Sequence, residues 1–301
     1  MTVASERAAR LATEPMRPAT PPVGLLRGTR ASLLDIWNRR DLLSRLTRRE
    51  IRARYKDSVL GMVWSLVRPL VSLLIYVLVI GQVMGAARSI DDFGIYVFTG
   101  LTAWQLFSDI ISAGTGSIVG NSGIVKKVQL PREIFPLASV GASLFNFLMQ
   151  FAILLAAVLL IRPPTISLGL FYLPLALLVL VVWATAFGLV LAAANVYLRD
   201  VQYLVEVGLL VGMWASPIVY SWSMVTALTA GRAWLEELYL ANPVTLAVMG
   251  FQRTMWTMGA AHPTAPHLAT RLVLALVAGL VLLGISQRLF SVMQRNFAQE
   301  L

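Results

Sequence analysis

Residues 135–161, FPLASVGASLFNFLMQFAILLAAVLLI, and residues 166–196, ISLGLFYLPLALLVLVVWATAFGLVLAAANV, contain no Asp, Glu, Lys or Arg. Arg162, in the short joint between them, is the only charge from Ile134 to Leu198. A helix needs ~20 predominantly apolar residues to cross the hydrocarbon core of a bilayer, and each run exceeds that. Four further apolar segments flank these two: Gly61–Met84, Ile95–Val119, Tyr203–Tyr220 and Ala269–Ile285, of which Tyr203–Tyr220 is the shortest fit to a span. The expected fold is an all-α polytopic membrane protein with six transmembrane helices over residues 61–285.

Composition agrees. Of 301 residues, 57% are hydrophobic and 13% charged, with mean hydropathy +0.73; a soluble globule carries roughly 25% charged residues. A soluble enzyme with a large polar domain is excluded. The absence of cysteine excludes disulfides, thiolate metal sites and a thiol nucleophile, and two histidines are too few for a histidine metal cluster. No metal site is expected.

The net charge of +10 is unevenly spread: residues 1–60 hold thirteen Arg/Lys against six Asp/Glu. That pattern describes a basic arm at a membrane surface rather than a nucleic-acid binder. Pro15, Pro18, Pro21 and Pro22 lie among small and charged residues, so residues 1–31 are expected to be a disordered cytosolic tail, with no signal peptide. Residues 32–60 place Ile36, Leu43, Leu46, Ile51 and Tyr55 at near-helical spacing between arginines, and Trp37 near the start. They read as an amphipathic helix in the membrane interface. Nineteen Lys/Arg fall on the side of the two termini and only Arg88, Arg162, Arg232 and Arg253 on the other. The positive-inside bias therefore puts both termini, including the tail 286–301, in the cytosol.

The longest external connection, 221–268, carries an amphipathic Ala233–Leu240 and an Asn242-Pro243 pair that reads as N-cap and first helical residue. Ser216-Pro217 breaks the end of the fifth span. Short helices are expected here, and re-entry into the outer leaflet and a surface position both stay open. No internal repeat is found, which weakens an inverted-repeat transporter.

Arg68, Asp109 and Glu206 are the clearly ionisable residues within the spans. Their expected roles are a headgroup or phosphate contact, a buried polar contact and an ion pair with Arg199. No GxxxxGK[ST] loop is present, and Gly114, Gly116 and Gly120 lack the lysine. Asp91-Asp92 and Glu236-Glu237 sit in connections without a nearby histidine, so no catalytic residue is assigned. Trp64, Trp104, Phe107 and Trp214 fit an interfacial belt first, and a minority of such aromatics fit platforms for sugar rings along a conduit.

Two stretches carry a family resemblance. RYKDSVLGMVWSLVRPL, Arg54–Leu70, resembles the passage from amphipathic helix into first span in permeases of bacterial polysaccharide ABC exporters, the Wzm or TagG type. GIVKKVQLPREIFPL, Gly123–Leu137, is similar to their cytosolic connection between spans two and three. YLRD at Tyr197–Asp200, SPIVY at Ser216–Tyr220 and NPV at Asn242–Val244 follow in the family's order. The resemblance covers roughly residues 33–295. It implies a homodimer in the bacterial plasma membrane with two copies of a cytosolic ABC ATPase. No cofactor is expected in this chain, with ATP and Mg in the partner, and the cargo is a polyprenyl-diphosphate-linked polysaccharide. Lys126, Lys127, Pro131, Arg132 and Glu133 then become the ATPase-docking connection. Arg52, Arg54, Lys56 and Arg68 become the site that receives the diphosphate lipid. Arginine outnumbers lysine twenty-two to three, compatible with a GC-rich genome such as an actinomycete's, and on that ground the cargo expectation leans to a cell-wall galactan. A teichoic-acid exporter, and outside the class an intramembrane enzyme of lipid-linked sugar metabolism, are the alternatives.

The orientation is directly testable because an introduced cysteine is the only thiol. Cysteines at Arg88 and Thr229 should label with an impermeant reagent in intact cells, and one at Lys127 only after lysis. Labelling of position 127 from outside overturns the orientation.

Overall fold

The structure, a computed structural model, describes residues 34–56, 63–127, 130–161, 168–229, 232–256 and 264–301. The expected tail 1–31 and most of the joint between the interfacial helix and the first span lie outside these residues. Among the described residues the chain is helical without strands.

Ten helices carry the architecture. They are α1 Arg40–Tyr55, α2 Trp64–Ile75 with its π-helical continuation Tyr76–Val83, α3 Phe93–Gly120, α4 Ile134–Ile161, α5 Tyr172–Tyr197, α6 Val201–Trp214, α7 Trp222–Thr229, α8 Ala233–Leu240, α9 Pro243–Met255 and α10 Leu268–Met293. Every apolar segment of the sequence reading has its helix: α2, α3, α4, α5, α6 and α10. Residues 134–161, 169–197 and 268–296 are long and apolar enough to cross a membrane outright. The six alternate in direction. The C-terminal end of α3, the start of α4 and the far ends of α5 and α10 share one cluster at the basic end, through Ile118, Ile134, Val196 and Phe290. The start of α3 and the far end of α4 meet at the other end, through Phe93 and Val158.

α6 is shorter than its segment. Its 14 residues span about 21 Å at 1.5 Å each, less than the ~30 Å hydrocarbon core. The reason is local: Pro217 has no N–H to extend the helix, and the chain turns through 215–221 into α7.

α3 and α5 form the centre. They approach most closely where Gly114 faces Gly188; a Cβ on Gly114 would stand 3.3 Å from the Gly188 Cα. One turn towards the basic end, Asn195 Nδ2 donates to the Thr115 carbonyl at 3.1 Å. α4 and α6 pack on α3, and α9 and α10 on α5. α10 closes onto α5 at Gly279, which lies under the Trp183 indole, whose Nε1 donates to the Ala275 carbonyl at 2.8 Å.

Within the outer connection, α9 stands apart from its neighbours by its burial. α9 is buried on all its faces, from Val244 to Met255, among α3, α5 and α10. Gly250 abuts Ala176 of α5, and Asn242 caps the helix through its Oδ1, which accepts from Val244 N–H at 3.0 Å. α9 is therefore inserted between the long helices and is not a surface helix.

α1 spans Arg40–Tyr55, with 34–38 helical before it and a break at Arg39. It lies across α4, where the Thr47 methyl packs on Gly141. Glu50 faces Ser139 of α4, and burial pushes its carboxyl above the ordinary carboxylate range.

Overpacking a close helix crossing costs about 1–3 kcal/mol. Gly114→Leu, which meets backbone, should lower stability by at least that much. Gly188→Ala, whose Cβ meets nothing nearer than 3.6 Å, should leave stability close to wild type. Thermal unfolding of both purified variants in one detergent checks the contrast.

Candidate coupling site

The connection between α3 and α4 begins with one helical turn, Ser122–Val125, and ends at Ile134. Asn121 stops α3 by turning its amide back to the Ser117 carbonyl at 2.8 Å, while its Oδ1 accepts from Arg49 of α1. Lys126 and Lys127 follow, both exposed. Pro131 and Arg132 are half-buried, and Glu133 is buried.

What fixes the second half is the C-terminus. After α10 the chain makes a 3-10 turn, Gln294–Asn296, and one more helical turn, Phe297–Glu300. Phe297 is completely buried. Arg132 donates to the Gln294 carbonyl and its guanidinium lies over the Phe297 ring, 5.6 Å from the centroid. Gln294 Nε2 donates to Glu133 Oε1 at 3.3 Å. Tyr197, the last residue of α5, donates its hydroxyl to the Met293 carbonyl at 2.7 Å and meets Phe297 edge-on. Prolines 131 and 136, a cation–π contact and these hydrogen bonds tie the start of α4 to the ends of α5 and α10. Residues 131–134 are thus joined to the ends of three long helices, α4, α5 and α10.

The other residues singled out in the sequence fall as follows. Arg52 and Arg54 are exposed on the last turn of α1, where cations favour the helix dipole, and Lys56 is exposed at its C-cap. Arg68 belongs to the second turn of α2, just before Pro69; its side chain lies outside the described residues. Trp64 is exposed at the start of α2, and Trp214 is about half exposed at the end of α6. Trp104 and Phe107 are buried, 5.7 Å apart, with the Trp104 ring lying on Gly212 of α6. Within one chain these two are packing residues between α3 and α6. Asp109, expected to contact a neighbouring helix or partner subunit, accepts from Gln105 one turn earlier on its own helix at 2.8 Å. Glu206 stands exposed on α6, and no ion pair joins it to Arg199.

At the opposite end a hydrogen-bond web fixes the turn after α6. Tyr96 of α3 donates to the Pro217 and Tyr220 carbonyls at 3.1 and 2.8 Å, and Gln252 of α9 donates to Pro217 O at 2.7 Å. Gly100 leaves room for Ile218. Trp256, edge-on to Tyr96, donates to the Asp91 carbonyl at 2.8 Å. Arg271 grips Glu237 with two bonds of 2.9 and 2.7 Å, which holds that exposed carboxyl below its ordinary range. Neither this web nor the C-terminal clamp was anticipated from the sequence. The one available signal was Phe297, an aromatic isolated in the polar run QRNFAQE.

The chain belongs to the ABC-2 type transporter family, whose description matches residues 41–256. It is 29% identical over 269 residues to the O-antigen export system permease protein RfbA of Myxococcus xanthus, covering 89% of this chain and 98% of that protein. It is 28% identical over 186 residues to RfbA of Klebsiella pneumoniae, covering 62% and 71%. Over 76 residues it is 33% identical to the polysialic acid transport protein KpsM of Escherichia coli, covering 25% and 30%. The chain is thus an integral membrane permease, not an enzyme, and works with a separate ATPase subunit.

The clamp yields a prediction. Phe297→Ala should leave a cavity costing on the order of 3 kcal/mol. Hydrogen exchange should then accelerate at residues 130–134 while the long helices keep their protection. Unchanged protection at 130–134 would show that the C-terminus does not hold the connection.

Proposed function

We propose that this chain is the permease of an ABC exporter that moves a polyprenyl-diphosphate-linked polysaccharide across the plasma membrane. The observation that carries this reading is the nearly end-to-end match to an O-antigen export permease, 98% of whose length is covered. Two features of the bundle support it. Ala103, Ile110, Val179, Leu180 and Ala184 fill the interior of one chain, so a hydrophilic polymer needs a path formed between chains, and a homodimer supplies one. The exposed Lys126-Lys127 pair, backed by the clamped Arg132 and Glu133, offers a rigid contact for each of two cytosolic ATPase subunits, which bring ATP and Mg.

Both termini lie in the cytosol in this reading, as the nineteen-to-four charge bias requires. Arg52, Arg54 and Lys56 at the free end of α1, with Arg68 at the start of the first span, receive the diphosphate at the cytosolic leaflet. Each well-shielded contact contributes about 1.5–3 kcal/mol. A galactan cargo rests on the arginine-rich composition alone.

Depleting the protein should trap finished lipid-linked polysaccharide on the cytosolic leaflet, detected by mass analysis of extracted glycolipids. Truncated lipid-linked chains with no full-length accumulation would sink the export reading.

A further inference from the structure

We propose that the groove between α1 and α4 holds one anionic phospholipid, with its phosphate on Arg40 and Arg48 and an acyl chain against α4. The site stands apart from the cargo reading and does not depend on it.

The geometry starts at the contact of Thr47 with Gly141, where a Cβ on the glycine would come within 2.8 Å of the threonine methyl. Beside that contact the two helices leave a shallow groove, open to the surroundings, of about 470 Å³. Its walls are apolar: Leu43 and Ile51 on α1, Leu144, Phe145 and Leu148 on α4. Its rim carries Arg40, Ser44 and Arg48, spaced four residues apart and so stacked along one face of α1. No carboxylate lines it.

The arginines of α1 divide by what they already hold. Arg39 pairs with Asp35 at 3.0 Å, and Arg49 donates to Asn121 on the flank towards the α3–α4 connection. Arg48 has no hydrogen-bond or ion-pair partner among the described residues, and Arg40 has only the Trp37 ring, 5.8 Å below its guanidinium. Trp37 is itself about two-thirds exposed, the setting of an interfacial tryptophan at headgroup level. Arg40, Ser44 and Arg48 line the same groove and can turn their guanidinium and hydroxyl donors to the oxygens of a phosphodiester, for which the guanidinium fork is better suited than a point charge. The apolar wall specifies the rest of the ligand. A free phosphate has nothing to place against Leu144 and Leu148, whereas a membrane phospholipid fills both parts at once. Arg52, Arg54 and Lys56 are not part of the lining, so the site is distinct from the one proposed for the diphosphate lipid.

The test is native mass spectrometry of the full-length chain released from micelles doped with phosphatidylglycerol or phosphatidylcholine. Wild type should retain one phosphatidylglycerol in preference to phosphatidylcholine. A juxtamembrane arginine contributes on the order of fivefold to anionic-lipid binding, so Arg40→Gln with Arg48→Gln should cut retention by about 30-fold. Leu148→Trp, which fills the groove and leaves both arginines, should cut it comparably. Arg45→Gln, exposed but outside the groove, should leave it unchanged. Helical circular dichroism confirms that each variant is folded. Equal retention of the two lipids by wild type overturns the proposal, as does full retention by either the arginine or the Leu148 variant. Displacement of the lipid by millimolar inorganic phosphate would identify a free-anion site instead, and overturns it too.

Discussion

The crossing of α3 and α5 at Gly114 and Gly188 is the contact on which the rest of the bundle is built. Lipid tails are as apolar as leucine, so helices gain nothing by merely covering apolar surface and must associate through close van der Waals contact and interhelical hydrogen bonds. Gly114, which has no room for a Cβ against the Gly188 backbone, lets the two helices meet, and Asn195 to Thr115 adds the polar bond. α4 and α6 then lie on α3, α10 on α5, and α9 between them, with the same device repeated where Gly279 meets Trp183 and Gly250 meets Ala176.

Polar groups inside the bundle are handled economically. Thr99, Thr102, Thr115 and Thr185 each return their hydroxyl to the carbonyl four residues back, at 2.6–2.7 Å, and so require no partner from another helix. Interhelical side-chain bonds concentrate instead at the two ends, around Tyr96 and Gln252 on one side and Arg132, Gln294 and Tyr197 on the other. The ends are pinned and the middle is joined mainly by shape.

How much of this was legible follows from the range of each signal. Hydrophobic length is a local property, so the six apolar segments were readable and their bounds moved by only a few residues for most. Asn242-Pro243 was readable because capping is also local. The shortening of α6 was half-readable from Pro217. The bond from Arg132 to Gln294, 162 residues apart, has no local signature, and neither does the burial of Trp104 under α6. The π-helical register of Tyr76–Val83, capped by Met84 N–H on the Val79 carbonyl, was not legible either, since its residues are ordinary apolar ones. Side chains that act across the fold become visible only once the fold is known.

The burial of α9 bears on the order in which the protein is made. Thirteen residues reach only about 20 Å, and with Gln252 and Arg253 on board they form no self-sufficient span. Their neighbours α3 and α5 are synthesised earlier, but α10 comes later in the chain. α9 is therefore no span of its own: it is held by α3 and α5, made before it, and by α10, made after it, so its burial draws on both sides of the chain.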